Sequence, residues 1–258
     1  MSYAFLTVEK AGRVTTVTIN RPDRHNALNA EAQVELAHAF DAFEADDDQW
    51  VAILTGAGPK AFCAGHDLRS PMPLSRADLP PSGFGGITSR LQLTKPVIAA
   101  VNGIAMGGGF EIALACDIVV AAKTATFALP EVKVGLAALG GGILRLPREI
   151  GLKRAMGLML TGRHLTAADG LSLGFVNEVV AGDALAAAKR WAEEILACSP
   201  MSVRATKQTA LKGLDEPLAT ALEAQWDYPA VRRMLESEDA AEGPAAFAAK
   251  RAPDWKGK

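Results

Sequence analysis

Residues Tyr3 to Glu9 and Val14 to Ile19 alternate apolar and polar side chains on either side of Lys10-Ala11-Gly12-Arg13. A period of two marks half-buried strands, so the chain is expected to open with a β-hairpin. Asn20-Arg21-Pro22-Asp23 reads as a turn. From Asn29 to Phe43 the apolar positions recur at helical spacing, with Asn29 as N-cap. Val51 to Leu54 is an unbroken apolar run and predicts a buried strand. Lys60 to Leu68 reads as a loop, and residues 70 to 83, with four prolines, as a surface loop. A helix is expected from there to about Leu93. Val97 to Val101 and Asp117 to Ala121 are predicted strands, separated by a glycine-rich turn and an apolar helix. Recurrence of strand, loop and helix predicts a layered α/β core with parallel pairings. Gly135 to Gly142 is a loop with a helix after it. From about residue 147 the pattern turns mostly helical: Asp183 to Ala197, Pro200 to Lys212, Pro217 to Leu235 and Glu238 to Lys250. Trp191, Trp226 and Phe247 give this region more apolar surface than a short helical hairpin needs, and such faces commonly pack on another subunit.

The chain has 258 residues, 49% of them hydrophobic, which suffices for one large domain with its own core. The net charge is −2, so no basic surplus points to nucleic acid. Cys63, Cys116 and Cys198 are too few to be a disulfide framework. Met1-Ser2-Tyr3-Ala4-Phe5 shows neither the basic nor the apolar region of a secretory leader. Together these features predict a reducing, cytoplasmic setting. The most apolar stretch, Val97 to Ala122, contains Asn102, Glu111, Asp117 and several glycines. It breaks into strand, turn, helix and strand, and is not expected to span a membrane.

The chemistry concentrates in Gly107-Gly108-Gly109-Phe110-Glu111 and in Glu131, twenty positions later. Glycines that open a helix let a ligand approach the backbone and leave the first N–H groups free to donate. Glu111 lies within the greasy segment Phe110 to Cys116, where a carboxylate is costly without a partner or a task. Ala64-Gly65-His66-Asp67 forms a second small-residue loop. An oxyanion hole needs two converging N–H groups about 2.7–3.1 Å from the developing charge. Two carboxylates at one reacting centre can take and give a proton. Each motif also has a plainer reading: close packing for the glycines, an ordinary turn at 64–67, and the start of a turn at Pro130-Glu131. Other signals fail. Ile53 to Gly58 lacks the third glycine and the helix of a dinucleotide fingerprint. His25, His38, His66 and His164 show no metal-ligand spacing. No Gly-x-Ser-x-Gly elbow is present, and Cys63 reads as a small buried hydrophobe.

Over nearly its full length the chain resembles the crotonase, or enoyl-CoA hydratase/isomerase, superfamily. The resemblance rests on Ile19-Asn20-Arg21-Pro22 with Asn26-Ala27-Leu28-Asn29, on Lys60 to Leu68, on Lys95 to Gly103, on Gly107 to Leu114, on Cys116-Asp117-Ile118 and on Phe127 to Glu131. Thr161-Gly162-Arg163, Gly174 to Asn177 and the Glu242 to Arg251 tail extend it. It implies an α/β, ClpP/crotonase-like spiral of ββα units. The active-site core would span 1–198, and a helical region at 199–258 would pack on neighbouring subunits in a homotrimer or a hexamer built as a dimer of trimers. It implies oxyanion donors on the backbone N–H groups of His66 and Gly108, and Glu111 and Glu131 as the acid/base pair. The expected reaction is hydration of a 2-enoyl-CoA. Coenzyme A belongs to the substrate, and no separate cofactor, metal, nucleic acid or membrane is expected. Arg24, Ala27, Lys60, Ala64, Asp67, Leu68, Arg69 and Gly107 are the expected substrate contacts, with Phe247 and Lys250 reaching coenzyme A from a neighbouring subunit.

The wording around Phe110-Glu111, Phe127 to Glu131 and Gly142 to Pro147 looks closest to the branch that contains carnitinyl-CoA dehydratase-like enzymes. Dehydration of such a substrate, isomerisation and C–C cleavage are alternative reactions on the same scaffold, and a non-catalytic acyl-CoA binder is the alternative of another class. Two positions depart from the usual pattern. His66 stands where alanine is common, and its side chain is expected to face substrate or solvent. Ala138 stands where many hydratases carry proline.

Overall fold

The computed structural model describes residues 3–72 and 75–258, so Pro73 and Leu74 of the loop expected at 70–83 lie outside the described residues. Strands β1 (Leu6–Ala11) and β2 (Val14–Ile19) form the expected antiparallel hairpin. Helix α1 (Ala30–Ala45) begins where the Asn29 side chain accepts the Ala32 N–H at 3.0 Å, satisfying one orphan donor of the first turn. Strand β3 (Val51–Gly56) is buried throughout. The 60–68 segment is not all loop: β4 (Ala61–Cys63) interrupts it. The helix expected up to Leu93 does not form. A 3-10 turn at Phe84–Gly86 stands there, because Gly83, Gly85 and Gly86 take positive φ values that an α-helix does not use.

Next come β5 (Val97–Val101), β6 (Ile104–Met106), α2 (Gly108–Ala115), β7 (Ile118–Ala122) and β8 (Thr126–Ala128). A 3-10 turn at Pro130–Val134 follows. Then come α3 (Gly142–Ile150), α4 (Leu152–Met159), β9 (Leu165–Thr166), α5 (Ala167–Leu173) and β10 (Glu178–Val180). The chain ends in α6 (Ala184–Leu196), α7 (Pro200–Gly213), α8 (Leu218–Ala224), α9 (Pro229–Leu235) and α10 (Glu238–Ala248). The single helix expected over 217–235 is broken by a 3-10 turn at Gln225–Asp227. Pro229 then begins α9, at the first turn where its missing N–H costs nothing.

Two sheets result. The first has the order β1-β2-β3-β5-β7-β10, parallel except for the opening hairpin; the second has the order β4-β6-β8-β9. Pairs β3/β4, β5/β6 and β7/β8 each give one strand to each sheet, and α2 returns the chain from β6 to β7. This is the expected spiral of ββα units. Side chains alternate across the first sheet. Ala52, Leu54, Ala99 and Val101 face the larger core with α1, while Val51, Ile53, Ile98 and Ala100 face α6. Ala184, Ala187, Ala188 and Ala192 form the buried stripe of α6, and their small size lets the helix lie close to the sheet. Trp191 is not an outward apolar residue: its Nε1 donates to Glu178 at 2.7 Å and its ring packs against this second core. Trp226 and Phe247 do face outward, at 63% and 88% exposure.

Candidate active site

Parallel strands β4, β6 and β8 lie side by side, and their carboxyl ends point the same way. Neighbouring strands run about 4.8 Å apart, so the loops leaving these ends are adjacent however far apart they stand in sequence. His66 follows Cys63 of β4, Gly108 follows Met106 of β6, and Glu131 follows Ala128 of β8. All three candidate loops therefore meet at one edge.

The contacts bear this out. Gly65 lies so close to the next loop that a Cβ there would stand 3.1 Å from the Gly108 nitrogen. The Leu28–His66 bridge uses the carbonyl of Gly65 and the N–H of Asp67, which turns the N–H of His66 to the opposite side. Gly108 begins α2, where a first-turn N–H has no intrahelical acceptor. Neither N–H has an acceptor among the described residues. The Phe84 ring lies against Gly108. The Glu131 carboxyl leans over the same backbone, its Oε1 2.9 Å from where a Cβ on Gly107 would be, and its Oε2 is buried with no hydrogen-bond partner among the described residues.

Glu111 enters from α2. Phe110 anchors that helix in a triangle with Phe127 and Phe175, ring centroids 5.1–5.3 Å apart. The next residue points about 100° round the helix, which carries Glu111 out of the triangle and towards Glu131. Glu111 is 4% exposed, and its Oε1 accepts the N–H of Gly142 at 2.8 Å. Burial pushes its carboxyl up to about 7. The Glu131 charge adds to the rise, and the Gly142 and Gly140 N–H groups and Arg145 oppose it. Burial also raises Glu131. Both carboxyls are thus held above the usual carboxylate range, and because the Glu131 charge acts on Glu111 they titrate as a coupled pair.

This burial has a consequence for stability. The folded state holds the Glu111 proton more tightly than the unfolded chain does, so stability falls as pH rises from about 4.5 to 7. Glu111→Gln keeps a carbonyl for Gly142 and removes that loss. At equal protein concentration the variant is expected to match the wild type near pH 4.5 and to exceed it by on the order of 3 kcal/mol at pH 8. Urea melts at the two pH values check this; an unchanged gap would contradict it.

The other expected contacts divide. Asp67 is buried and paired with Arg21 at 2.9 Å, and it also accepts the Arg69 N–H at 3.2 Å. Burial works to raise its carboxyl, but the Arg69 N–H, the Arg21 guanidinium and the Arg24 charge hold it below the usual range. Arg21 also donates to the carbonyl of Ala27, so this pair staples the two loops that flank the site. Ala64 gives its N–H to His25 at 3.0 Å. Arg24, Leu68 and Arg69 are exposed near this edge, whereas Lys60, also exposed, precedes β4 and lies at the amino end of β4 and β6. Phe247 and Lys250 lie at the end of α10, and no hydrogen bond or ion pair among the described residues ties them to the loops. The His66 ring folds back on its own loop, Nε2 3.4 Å from the Ser70 carbonyl, with Nδ1 buried and unpartnered. Ala138 is buried in the 135–142 loop. Cys63 is buried as expected, and its thiol is pushed up to about 12 by burial. Sequence reasoning overlooked the Gly142 N–H, although three glycines before a helix are the same signal that marked Gly107 to Gly109.

A spiral of ββα units is the crotonase architecture. The chain belongs to the enoyl-CoA hydratase/isomerase family, whose profile matches residues 9–258. It is 41% identical over 260 residues to a carnitinyl-CoA dehydratase of Salmonella arizonae, covering 98% of each chain. The carnitinyl-CoA dehydratase of Escherichia coli K12 is 40% identical over 261 residues, again with 98% of each covered. Among solved structures, an enoyl-CoA hydratase from Mycobacterium tuberculosis H37Rv superposes with a TM-score of 0.90 at 42% identity, covering 98% of this chain and 99% of that one. One from Bacillus anthracis gives 0.89 at 35% identity, covering 98% and 100%. No helix of the described residues is long and apolar enough to cross a membrane.

Proposed function

We propose that this protein is an enoyl-CoA hydratase that adds water across the double bond of a 2-enoyl-CoA thioester. One observation carries the reading: the unpartnered N–H groups of His66 and Gly108 stand together, beside the Glu111–Glu131 pair. The thioester oxygen accepts both N–H groups, which draws electron density from Cβ. Water attacks Cβ while Glu111 takes its proton, and the π electrons move to the oxygen as an enolate that the two amides stabilise. Glu131 then delivers a proton to Cα. The sum is one water added, and the proton left on Glu111 passes back to Glu131 before the next turnover. Coenzyme A needs no metal in this scheme. Arg24 and Arg69 supply exposed positive charge for its phosphates, and Phe247 and Lys250 approach it from a neighbouring subunit.

A homotrimer or dimer of trimers fits the exposed leucines of the helical region, among them Leu214, Leu218 and Leu222. We place the enzyme in the cytoplasm, a setting supported by its three free cysteines. The similarity to carnitinyl-CoA dehydratases favours a second reading, removal of water from a 3-hydroxyacyl-CoA. The same groups serve it in reverse. Mass spectrometry of products from a panel of 2-enoyl-CoAs and of carnitinyl-CoA separates the two readings. Gain of one water on an enoyl-CoA supports the hydratase. Loss of one water confined to carnitinyl-CoA supports the second reading. Saturable acyl-CoA binding with no product would leave a binding protein and defeat both.

A further inference from the structure

Arg145 takes no part in the chemistry above, yet it touches the segments that enclose it. It lies on α3, one turn beyond Gly142, whose N–H holds Glu111. Its Nη2 donates to the Thr88 carbonyl at 2.8 Å. Thr88 closes the turn that sets Phe84 against Gly108, giving its own N–H to the Phe84 carbonyl. The Gly141 backbone passes so close that a Cβ there would run into Nη1. One side chain thus ties the Phe84 turn to the 140–142 loop, across the site.

Its charge stays unspent. Among the described residues no carboxylate lies within ion-pair distance of Arg145. Burial lowers the guanidinium's own pKa, and the charges acting on it are Glu111, Cys116 when ionised, Arg148 and Glu149. Beyond Cys116 stand Asp117 and Lys207, and Glu131 faces Glu111 from the far side. Glu111 therefore has two backbone donors and a cation on its side of the pair, whereas Glu131 has its own backbone N–H and one unpartnered oxygen.

We propose that Arg145 is a positioning residue, tethered by the Thr88 carbonyl beside Glu111, whose charge makes the buried Glu111 carboxyl easier to ionise and so readier to act as the base. The inference rests on the acid/base reading of that pair. Glu111 is the deeper carboxyl and burial makes it hold its proton, so without a counterweight water would meet no base. The amides and the guanidinium are the counterweight. Standing near Glu111 without binding it, the guanidinium leaves the carboxylate lone pairs free for water.

The test is a ¹³C-carboxyl NMR titration of the ligand-free protein, with Glu111 assigned through Glu111→Gln. Wild type is compared with Arg145→Met, Arg145→Gln and Arg145→Lys, using circular dichroism to confirm folding. The Glu111 midpoint is expected to rise by about one pH unit in the two neutral variants and to return in the lysine variant. If Arg145→Met does not fold, Arg145→Gln, which keeps a donor for Thr88, carries the comparison. In turnover the acid limb of the pH–kcat profile should move up by the same amount, with KM within about threefold. A purely structural role would lower activity at all pH values and leave the Glu111 midpoint in place, and that result overturns the proposal. An NMR shift without turnover of any acyl-CoA would sink the hydratase reading and leave the role of Arg145 intact.

Discussion

Glu111→Gln is expected to give a folded protein that hydrates 2-enoyl-CoA ~10²–10⁴-fold more slowly, with KM little changed. The amide matches the carboxyl in shape and can still accept the Gly142 N–H, so the backbone has no reason to move. What it cannot do is take a proton from water. Glu131→Gln should cost a similar factor, because the proton for Cα is lost while the two amide donors remain. Combining the two changes should cost little more than either alone, since both act in one proton circuit. Steady-state kinetics with a single enoyl-CoA reads all three. Glu111→Gln loses this activity yet is expected to be more stable above neutral pH, so one substitution separates chemistry from folding. A loss of rate caused by unfolding would reverse the sign of the stability change.

Gly109→Ala is expected to be the most damaging small substitution in the molecule. A Cβ at this position would sit 1.9 Å from the Cys63 carbonyl oxygen, which belongs to β4 and has no side-chain freedom to yield. Either α2 or β4 must shift, at a cost of about 3 kcal/mol, which lowers the melting temperature by roughly 6–12 °C. The same shift separates the loop carrying His66 from the amide of Gly108. A misplacement of that kind costs on the order of 10²-fold in turnover. Gly157→Ala in α4 is the control: a Cβ there meets nothing within 4 Å, and alanine is the better helix former. Thermal melts and turnover of both variants decide the matter. Unimpaired Gly109→Ala would mean that the packing of α2 on β4 does not set the distance between the two amides.

These effects depend on strands that the pattern of the sequence did not reveal. The hairpin, the Asn29-capped helix, β3, β5 and α2 were legible because each spans enough residues to show a period or an apolar run. Strands β4, β6 and β8 have three residues each. Three residues show one alternation at most, and glycines or turns flank them. Yet their parallel register is what turns His66, Gly108 and Glu131 into neighbours. The apolar run around Glu111 marked it as unusual, but its sequence separation from Glu131 carries no distance. The helix expected up to Leu93 failed because Gly83, Gly85 and Gly86 take left-handed backbone angles, and the turn that replaced it delivers Phe84 to the site. The break before Pro229 was visible in the residue itself. The paired glycine loops and the two glutamates were identified by chemistry, and the family resemblance supplied their roles. Arg145 carried no sign in its local pattern, since its partner Thr88 lies 57 residues away.

A crystal structure with butyryl-CoA, a saturated thioester that cannot be hydrated, tests the central claim most directly. The thioester oxygen should lie within hydrogen-bond distance of both the His66 and Gly108 nitrogens, with Cα and Cβ held between the carboxyls of Glu111 and Glu131. A thioester seated elsewhere, or one whose oxygen meets neither amide, would contradict the account.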